Sequence, residues 1–377
     1  MEEAVILDMI TISADSARVE INPAGGHFDE VVFTVGGQEL RPMHRAHWRT
    51  GENHGGVPET LNENVPQTLR SLAGDFFCAP FAKDDLTGGP EHGPVANGIW
   101  HEWRRSSTNY AKTLELLLDR TVLGAEVTKT ITLRTGHPII YQSHAFKNGS
   151  GSIPVAHHPM LRVDGGVRLS FSPKRFGATP SAAIETDPSR GRSLLAYPQV
   201  FTDLGEVRQA DGGTVDLRSL PGPEGYEDFL LLVEAPRRTV GWSAILAPTQ
   251  KYLFFILRDP RVLPVTMLWL SNGGRDYQPF NGRHRNVLGI EEGITFFNSG
   301  YKASIADNAL TEQGIPTALS LDPFGTTEVK LAFGAIPAPS GWSEVAEIEV
   351  WSDTLVLRDV SGAETRCPFD AQLAGLE

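Results

Sequence analysis

The octapeptide Asn-Val-Leu-Gly-Ile-Glu-Glu-Gly at residues 286–293 predicts a short β-strand that ends in two adjacent carboxylates. Neighbouring side chains of a strand point to opposite faces. Leu288, Ile290 and Glu292 therefore share one face, which we expect to pack on a hydrophobic core. Glu291 points to the other face, towards whatever covers the sheet there. Read alone, the stretch is more typical of a solvated strand end. A functional role for Glu291 therefore requires partner residues elsewhere in the chain.

Short strands and turns recur on both sides of this stretch. The 38 glycines and 26 prolines are well dispersed, which favours many short strands over long helices. Strand-like segments between residues 99 and 146 are separated by turns at short, regular intervals, as in antiparallel sandwiches and barrels. No repeat, low-complexity tract or linker divides the chain. We therefore predict an all-β fold, with residues 1–377 forming one large antiparallel domain.

Composition excludes several functional classes. The net charge of −13 and the scattered basic residues argue against binding to nucleic acid or to an anionic membrane. The apolar runs are too short to span a bilayer, and the acidic N-terminus lacks a signal-peptide pattern. The two cysteines, Cys78 and Cys367, give neither a metal-binding spacing nor a disulfide framework. We expect a cytoplasmic protein.

Two regions depart from the strand pattern. Residues 40–100 are rich in Gly, His, Asn and Pro, and such a long irregular region in a compact domain is usually functional or disordered. Its aromatic content favours a packed, functional region. His44 and His47 have metal-ligand spacing, but nothing nearby completes a set, and His54 is expected to be a polar loop residue. Residues 171–222 predict a loop-rich insertion with short strands at most.

Candidate chemistry rests on a few separated residues. The chain has no glycine-rich nucleotide fingerprint, phosphate-binding loop or Gly-x-Ser-x-Gly elbow. What remains are residues beside turns or strand ends, namely His92, His158, the pair Glu227 and Asp228, and Glu291. A carboxylate and a histidine are common partners in proton transfer near neutral pH. Strand alternation allows only one acid of the pair to face the same cleft as Glu291.

The order of these motifs resembles the aldose 1-epimerase (galactose mutarotase-like) family. The resemblance spans about residues 20 to 335 and rests on five motifs: Asn-Pro-Ala-Gly-Gly at 22–26, Glu-His-Gly-Pro at 91–94, Asn148 followed by His158-Pro159, Gly-Tyr-Glu-Asp-Phe at 225–229, and Leu-Gly-Ile-Glu at 288–291. It implies a galactose mutarotase-like β-supersandwich with a sugar cleft on the concave face of one sheet. It implies no metal and no organic cofactor.

The resemblance also implies roles for individual residues. Glu291 would take the proton from the anomeric hydroxyl of an aldose, and His158 would give a proton to the ring oxygen. The ring would open and then reclose as the other anomer. His92 would hold or polarise the sugar, and the acid of the Glu227/Asp228 pair would bind ring hydroxyls.

One segment departs from the pattern of the galactose mutarotases. They carry an arginine- and asparagine-containing segment before the first histidine, whereas residues 74–81, Gly-Asp-Phe-Phe-Cys-Ala-Pro-Phe, contain no basic residue. This segment is more similar to the hexose-6-phosphate epimerase branch, and Arg70 would supply the missing charge. The expected partner is a monosaccharide or a sugar phosphate, with a homodimer left open.

Two other functions remain open at the level of sequence. One is a non-catalytic carbohydrate-binding or regulatory protein on the same scaffold. The other is an oligosaccharide lyase or hydrolase, which would need a long open groove where a mutarotase needs a closed pocket for one sugar. The sequence does not identify the sugar.

Overall fold

The computed structural model describes residues 8–49, 61 and 65–377. Strands dominate this part of the chain, and they are β1 (Ile10–Ser13), β2 (Ala17–Asn22), β3 (His27–Val35), β4 (Gln38–Leu40), β5 (Phe77–Cys78), β6 (Trp100–Ser107), β7 (Ala111–Leu118), β8 (Glu126–Arg134), β9 (Ile139–Lys147), β10 (Gly151–Ile153), β11 (Val155–His157), β12 (Met160–Arg162), β13 (Val167–Phe171), β14 (Lys174–Ala178), β15 (Val200–Phe201), β16 (Val207–Arg208), β17 (Thr214–Val215), β18 (Ser219–Leu220), β19 (Tyr226–Glu234), β20 (Gly241–Ala247), β21 (Tyr252–Arg258), β22 (Val265–Asn272), β23 (Val287–Ile294), β24 (Leu319–Leu321), β25 (Thr326–Pro337), β26 (Val345–Trp351), β27 (Thr354–Asp359) and β28 (Glu364–Pro368). The helices are short: α1 (Gln67–Arg70), α2 (Gly93–Asn97), α3 (Tyr301–Ile305) and α4 (Ala371–Ala374), with 3-10 turns at His47–Arg49 and Thr311–Gln313.

Two large sheets form the body of the molecule. One has eight strands, in the order β15-β14-β19-β22-β23-β11-β5, with β12 also paired to β23. The other has nine strands, in the order β18-β13-β20-β21-β25-β9-β8-β7-β6. Their strands pair antiparallel throughout, for example β19 with β22 and β25 with β9. The predicted all-β, antiparallel architecture is confirmed. No helix in the described part of the chain has the length and apolarity needed to cross a membrane.

The main hydrophobic core lies between the two sheets. Leu288 and Ile290 of β23 pack in it from the eight-stranded sheet, and Phe254 and Leu331 pack in it from the nine-stranded sheet. All four side chains are fully buried. This confirms the predicted alternation of β23, because Leu288 and Ile290 share the inner face and Glu291, the next residue, must point to the opposite face.

A second core covers the outer face of the eight-stranded sheet. Phe229 and Trp269 project from that face and pack against Trp48, Phe76 and Phe280. Trp48 and Phe76 come from the irregular region predicted to be packed, so the described parts of that region cover the sheet. His54 and the first residues of the chain lie outside the described residues.

The outer face of the nine-stranded sheet is covered by the C-terminal part of the chain. Leu355 and Phe369, from β27 and the segment before α4, pack against Trp242 and Phe255 of the sheet. The insertion at residues 171–222 contains β14 to β18, and all five are short, as predicted.

A charged network is buried between the two sheets. The carboxylate of Glu292 accepts hydrogen bonds from Ser243 Oγ at 2.6 Å and Thr266 Oγ1 at 2.7 Å, and it pairs with the guanidinium of Arg258. Arg258 also contacts Glu234 Oε2 at 2.8 Å, and Lys174 Nζ lies 2.7 Å from the same oxygen. Glu292 is therefore a structural anion of the interior and not a solvated strand end.

Candidate active site

A cavity of about 120 Å³ lies between the outer face of the eight-stranded sheet and its cover. Its wall is mostly apolar, with Phe76, Phe229, Trp269 and Phe280 among its members. The polar residues that line it are few: Thr68, Glu91, His92, His158, Arg275, Glu291 and Asn298. A small cavity with a few convergent polar groups in an apolar wall is typical of a ligand site.

The pairing of three strands places His158 directly opposite Glu291. β11 pairs with β23 so that His157 faces Glu292, and β12 continues along the same strand with Met160 facing Gly289. β11 and β12 pair with β23 in the same register. His158 lies between these two strands, so it is the cross-strand neighbour of Glu291 on one face. Their side chains meet, with His158 Nε2 3.0 Å from Glu291 Oε1.

Burial sets the charge state of this pair. It raises the pKa of Glu291 well above its ordinary value and lowers the pKa of His158 well below its own, with nearby His92 lowering it further. Both shifts favour uncharged side chains, because desolvation disfavours ions. Glu291 Oε2 is buried without a hydrogen-bond partner among the described residues. This oxygen is therefore available to a ligand in the cavity.

Backbone and ring contacts fix the position of His158. Its N–H donates to Asp75 Oδ1 at 2.9 Å, and its ring stacks on Phe76 with 4.5 Å between centroids. The edge of the ring meets Trp269 at 5.7 Å. Phe76 and Trp269 thus hold the imidazole on two sides, and its Nε2 faces Glu291.

His92 reaches the cavity from a helix start. It precedes α2 in a left-handed conformation with φ 63°, and its Nδ1 accepts the N–H of Ala82 at 3.3 Å. A neutral histidine that accepts at Nδ1 carries its proton on Nε2. Burial lowers the pKa of His92, which favours this neutral form. His92 therefore offers one N–H donor beside His158, 5.7 Å away between ring centroids.

Glu227 lies on the cavity side of β19 but behind the cavity wall. Its carboxylate accepts hydrogen bonds from Trp269 Nε1 at 2.5 Å and Ser271 Oγ at 2.8 Å, and Arg275 Nη2 lies 2.8 Å from Oε1. Trp269 and Arg275 line the cavity, whereas Glu227 does not. Glu227 is thus placed to hold Trp269 and Arg275, and these two residues are the ones that can contact a ligand directly.

Asp228 points to the opposite face of the sheet. Its carboxylate accepts the backbone N–H groups of Leu194 at 3.1 Å and Leu195 at 3.0 Å, and the hydroxyl of Tyr197 at 3.0 Å. Burial raises its pKa to about 6. Asp228 lies outside the cavity, so we withdraw it as a candidate for binding ring hydroxyls: strand alternation assigns that face to Glu227.

The basic residue at the cavity is Arg275 and not Arg70. Arg70 Nε donates to the carbonyl of Val65 at 2.7 Å, and its side chain is not part of the cavity wall. Arg275 was missed because it follows a Gly-Gly turn instead of a strand motif. Its signal is its position just after β22, the strand paired with the Glu227 strand.

His157, His44 and His284 make contacts outside the cavity wall. His157 is buried on the face opposite His158, with its ring 4.8 Å from that of Phe77, as expected from alternation. His44 Nε2 lies 3.0 Å from His284 Nε2, and His284 Nδ1 lies 2.7 Å from Ser271 Oγ. In the part of the chain that the structure describes, no three His, Cys, Asp or Glu side chains are grouped to hold a metal ion.

Comparison with solved structures relates this architecture to known proteins. A galactose mutarotase-like protein from Clostridium acetobutylicum superposes with a TM-score of 0.55 at 12% identity, covering 87% of this chain and 95% of that one. A galactose mutarotase-like protein from Lactobacillus casei gives 0.52 at 12% identity, covering 87% and 100%. A protein of Escherichia coli K12, provisionally assigned as an aldose 1-epimerase, gives 0.56 at 13% identity, covering 88% and 99%.

Sequence comparisons add nothing to this relationship, since no family model and no curated protein matches the chain. At identities this low, the superpositions bear on the fold alone. They extend over nearly the whole length of each neighbour. The chain therefore has the galactose mutarotase-like fold.

Proposed function

We propose that the protein is a sugar mutarotase of the aldose 1-epimerase type. The observation that carries this proposal is the contact of 3.0 Å between His158 Nε2 and Glu291 Oε1 in a cavity of about 120 Å³. A carboxyl group and an imidazole at such a distance can exchange protons with two neighbouring oxygens of one ligand. The anomeric hydroxyl and the ring oxygen of an aldose are two such oxygens, since both are bonded to C1.

The reaction needs only these two groups and the sugar. Both side chains are uncharged at rest, so the reactive state forms when Glu291 gives its proton to His158 across their contact. The Glu291 carboxylate then takes the proton of the anomeric hydroxyl, whose electron pair forms the carbonyl bond at C1. The bond from C1 to the ring oxygen breaks, and His158 protonates that oxygen. Rotation about the next carbon–carbon bond exposes the other face of the aldehyde. The two proton transfers then run in reverse, so the ring recloses as the other anomer and both side chains return to their starting states.

The rest of the cavity suits a single sugar. Trp269 presents aromatic surface to a C–H face of a pyranose, and the Nε2–H of His92 is a donor to a sugar oxygen. Arg275 supplies guanidinium donors for a hydroxyl or a phosphate, so the substrate class is a monosaccharide or a sugar phosphate. The small volume disfavours an oligosaccharide lyase or hydrolase.

Two unpaired, buried cysteines are compatible with the cytoplasm, where we place the activity.

The test is anomer exchange measured by NMR magnetisation transfer on a panel of aldoses and aldose phosphates. We expect the wild type to accelerate exchange of at least one sugar, and Glu291→Gln to lower the rate by at least 100-fold, because an amide cannot accept the proton. Glu126→Gln, at an exposed glutamate of β8, is the matched control and should retain full activity. Equal rates for wild type and Glu291→Gln would refute the proposal.

One feature supports a second candidate, a non-catalytic sugar-binding protein. His158 and Glu291 contact each other directly, so a sugar must separate them before both can act on its oxygens. A protein in which this contact persists would bind sugar without accelerating anomer exchange. Saturable sugar binding by calorimetry, together with no acceleration for any sugar of the panel, would favour this candidate.

A further inference from the structure

A groove lined by four arginines lies far from the cavity. Its volume is about 440 Å³, and its arginines are Arg175, Arg237, Arg238 and Arg261. We call it the arginine groove. It lies at the far end of β19, where Glu234 lines it, whereas Glu227 at the start of the same strand supports the cavity wall. The two glutamates are seven positions apart on an extended strand, which corresponds to about 23 Å.

The charge of the arginine groove is opposite to that of the chain. The protein carries a net charge of −13, and arginines elsewhere commonly pair with a carboxylate, as Arg192 does with Asp276 at 2.8 Å. Among the described residues, no carboxylate pairs with Arg175, Arg237 or Arg238. Three guanidinium groups thus converge on one groove without a counter-charge.

The acids near the groove are already neutralised. Glu234 Oε2 contacts Lys174 Nζ at 2.7 Å and Arg258 Nη2 at 2.8 Å, and Arg258 also pairs with Glu292, so two cations balance two carboxylates. Asp259 Oδ2 lies 2.6 Å from Arg261 Nη2. Neither acid offsets the three unpaired guanidinium groups, and the groove retains a positive charge.

Hydrogen bonding and backbone conformation also indicate a ligand site. Arg238 Nε is buried without a hydrogen-bond partner among the described residues, although buried N–H groups are nearly always satisfied. Arg237 has φ 63°, a left-handed conformation that is uncommon for residues other than glycine and recurs at binding sites. Arg175 Nη1 makes one long contact, 3.4 Å, to the carbonyl of Gln313.

We propose that the arginine groove binds a phosphoryl group, either as free phosphate or on a small phosphorylated metabolite. The planar guanidinium presents two parallel N–H donors that match the oxygens of a phosphoryl group, and a dianion would neutralise most of the unpaired charge. This site is separate from the cavity, so it does not depend on the mutarotase proposal.

The test is isothermal titration calorimetry with inorganic phosphate and with glycerol 3-phosphate, at constant ionic strength maintained with chloride. We expect saturable binding of one ligand per chain for the wild type. The double variant Arg237→Gln/Arg238→Gln should raise the Kd at least tenfold. Tighter binding of the ester would identify a phosphorylated metabolite as the ligand, and equal or tighter binding of phosphate would identify the free anion.

Arg208→Gln provides the matched control, because Arg208 is an exposed arginine of β16 that also has no carboxylate partner in the described structure but lies outside the groove. It should leave the Kd unchanged. If the double variant unfolds at a lower temperature than the wild type, the single variant Arg175→Gln at an exposed position replaces it. Absence of saturable binding, or the same Kd for wild type and groove variants, would overturn the proposal. The second result would place the anion at another site, such as Arg275.

Discussion

At the scale of the residue, Gly289 of β23 leaves space for the side chain of Glu291. It lies two positions before Glu291 on the same face of β23. A methyl group built on Gly289 would lie 3.1 Å from Glu291 Oε1 and 3.2 Å from Trp269 Cβ. Because Glu291 Oε1 is the atom that contacts His158, any side chain at position 289 displaces the group that we propose to react. The missing side chain therefore leaves room for the carboxylate itself.

Gly289→Ala should lower kcat about tenfold with a loss of stability of only about 1 kcal/mol, since small displacements of reacting groups cost more in rate than in packing. Anomer exchange by NMR and urea denaturation measure the two effects. Gly222→Ala is the matched control, because a methyl group there meets no atom within 4 Å. Wild-type kcat in Gly289→Ala would show that the position of Glu291 is not limiting.

At the scale of the element, β23 carries two adjacent glutamates with opposite tasks. Glu291 faces the cavity, where His158 is its contact and one of its oxygens has no partner. Glu292 faces the interior between the sheets, where Ser243, Thr266 and Arg258 surround its carboxylate. One strand thus separates the carboxyl group that we propose to react from a structural one by a single peptide unit.

The two glutamates should respond differently to the same substitution. Glu292→Gln should destabilise the fold by about 3 kcal/mol, because removing one partner leaves a buried charge uncompensated. Glu291→Gln should change the free energy of unfolding by less than about 1 kcal/mol, because it removes an incompletely bonded carboxyl group from an apolar wall. Urea denaturation of the two variants provides the comparison, each serving as the control for the other. Equal losses would contradict the division of roles.

At the scale of the whole molecule, histidines are buried in unusual number. Burial lowers the pKa of nine of them below the ordinary value of 6.5: His27, His44 (to about 3), His47, His92, His137, His144, His157, His158 and His284. Below pH 6.5 the unfolded chain gains protons at these positions while the folded chain does not. Stability is therefore fully present above pH 6.5 and is lost as pH falls towards the folded pKa values. Burial has the reverse effect on three carboxyl groups whose pKa it raises, Glu227, Asp228 and Glu291.

Because the histidines outnumber these carboxyl groups, we expect the free energy of unfolding to fall by on the order of 3 kcal/mol between pH 7.5 and 5.5. Urea denaturation at a series of pH values measures the slope. His144→Phe should reduce it by up to about 1.4 kcal/mol per pH unit, the contribution of one proton. The ring of His144 stacks on Phe77 at 4.0 Å, and neither of its nitrogens has a hydrogen-bond partner, so phenylalanine suits the site.

His101→Phe is the control for this experiment, because His101 is exposed on β6. An unchanged slope in His144→Phe would exclude a contribution from that histidine. A slope of opposite sign in the wild type would show that the buried carboxyl groups dominate.

The sequence alone determined the local geometry of this protein. Dispersed glycine and proline predicted short antiparallel strands, and the period of two selected Glu291 over Glu292 as the residue opposite the Leu288 and Ile290 face. Both follow from interactions within a few residues, which a linear pattern records. The order of motifs also indicated the fold that the superpositions show.

Only the tertiary structure decided which residues meet. The pairing of β11 and β12 with β23 sets His158 opposite Glu291, and the cover over the outer sheet face assigns Glu227, and not Asp228, to the cavity side. A loop after β22 brings Arg275 to the cavity wall, where the sequence suggested Arg70. These outcomes depend on register and on loops that join distant segments. A local sequence period does not encode register or loop contacts. Alternation determines only that two neighbouring side chains point to opposite faces, and packing determines which of the two faces is covered.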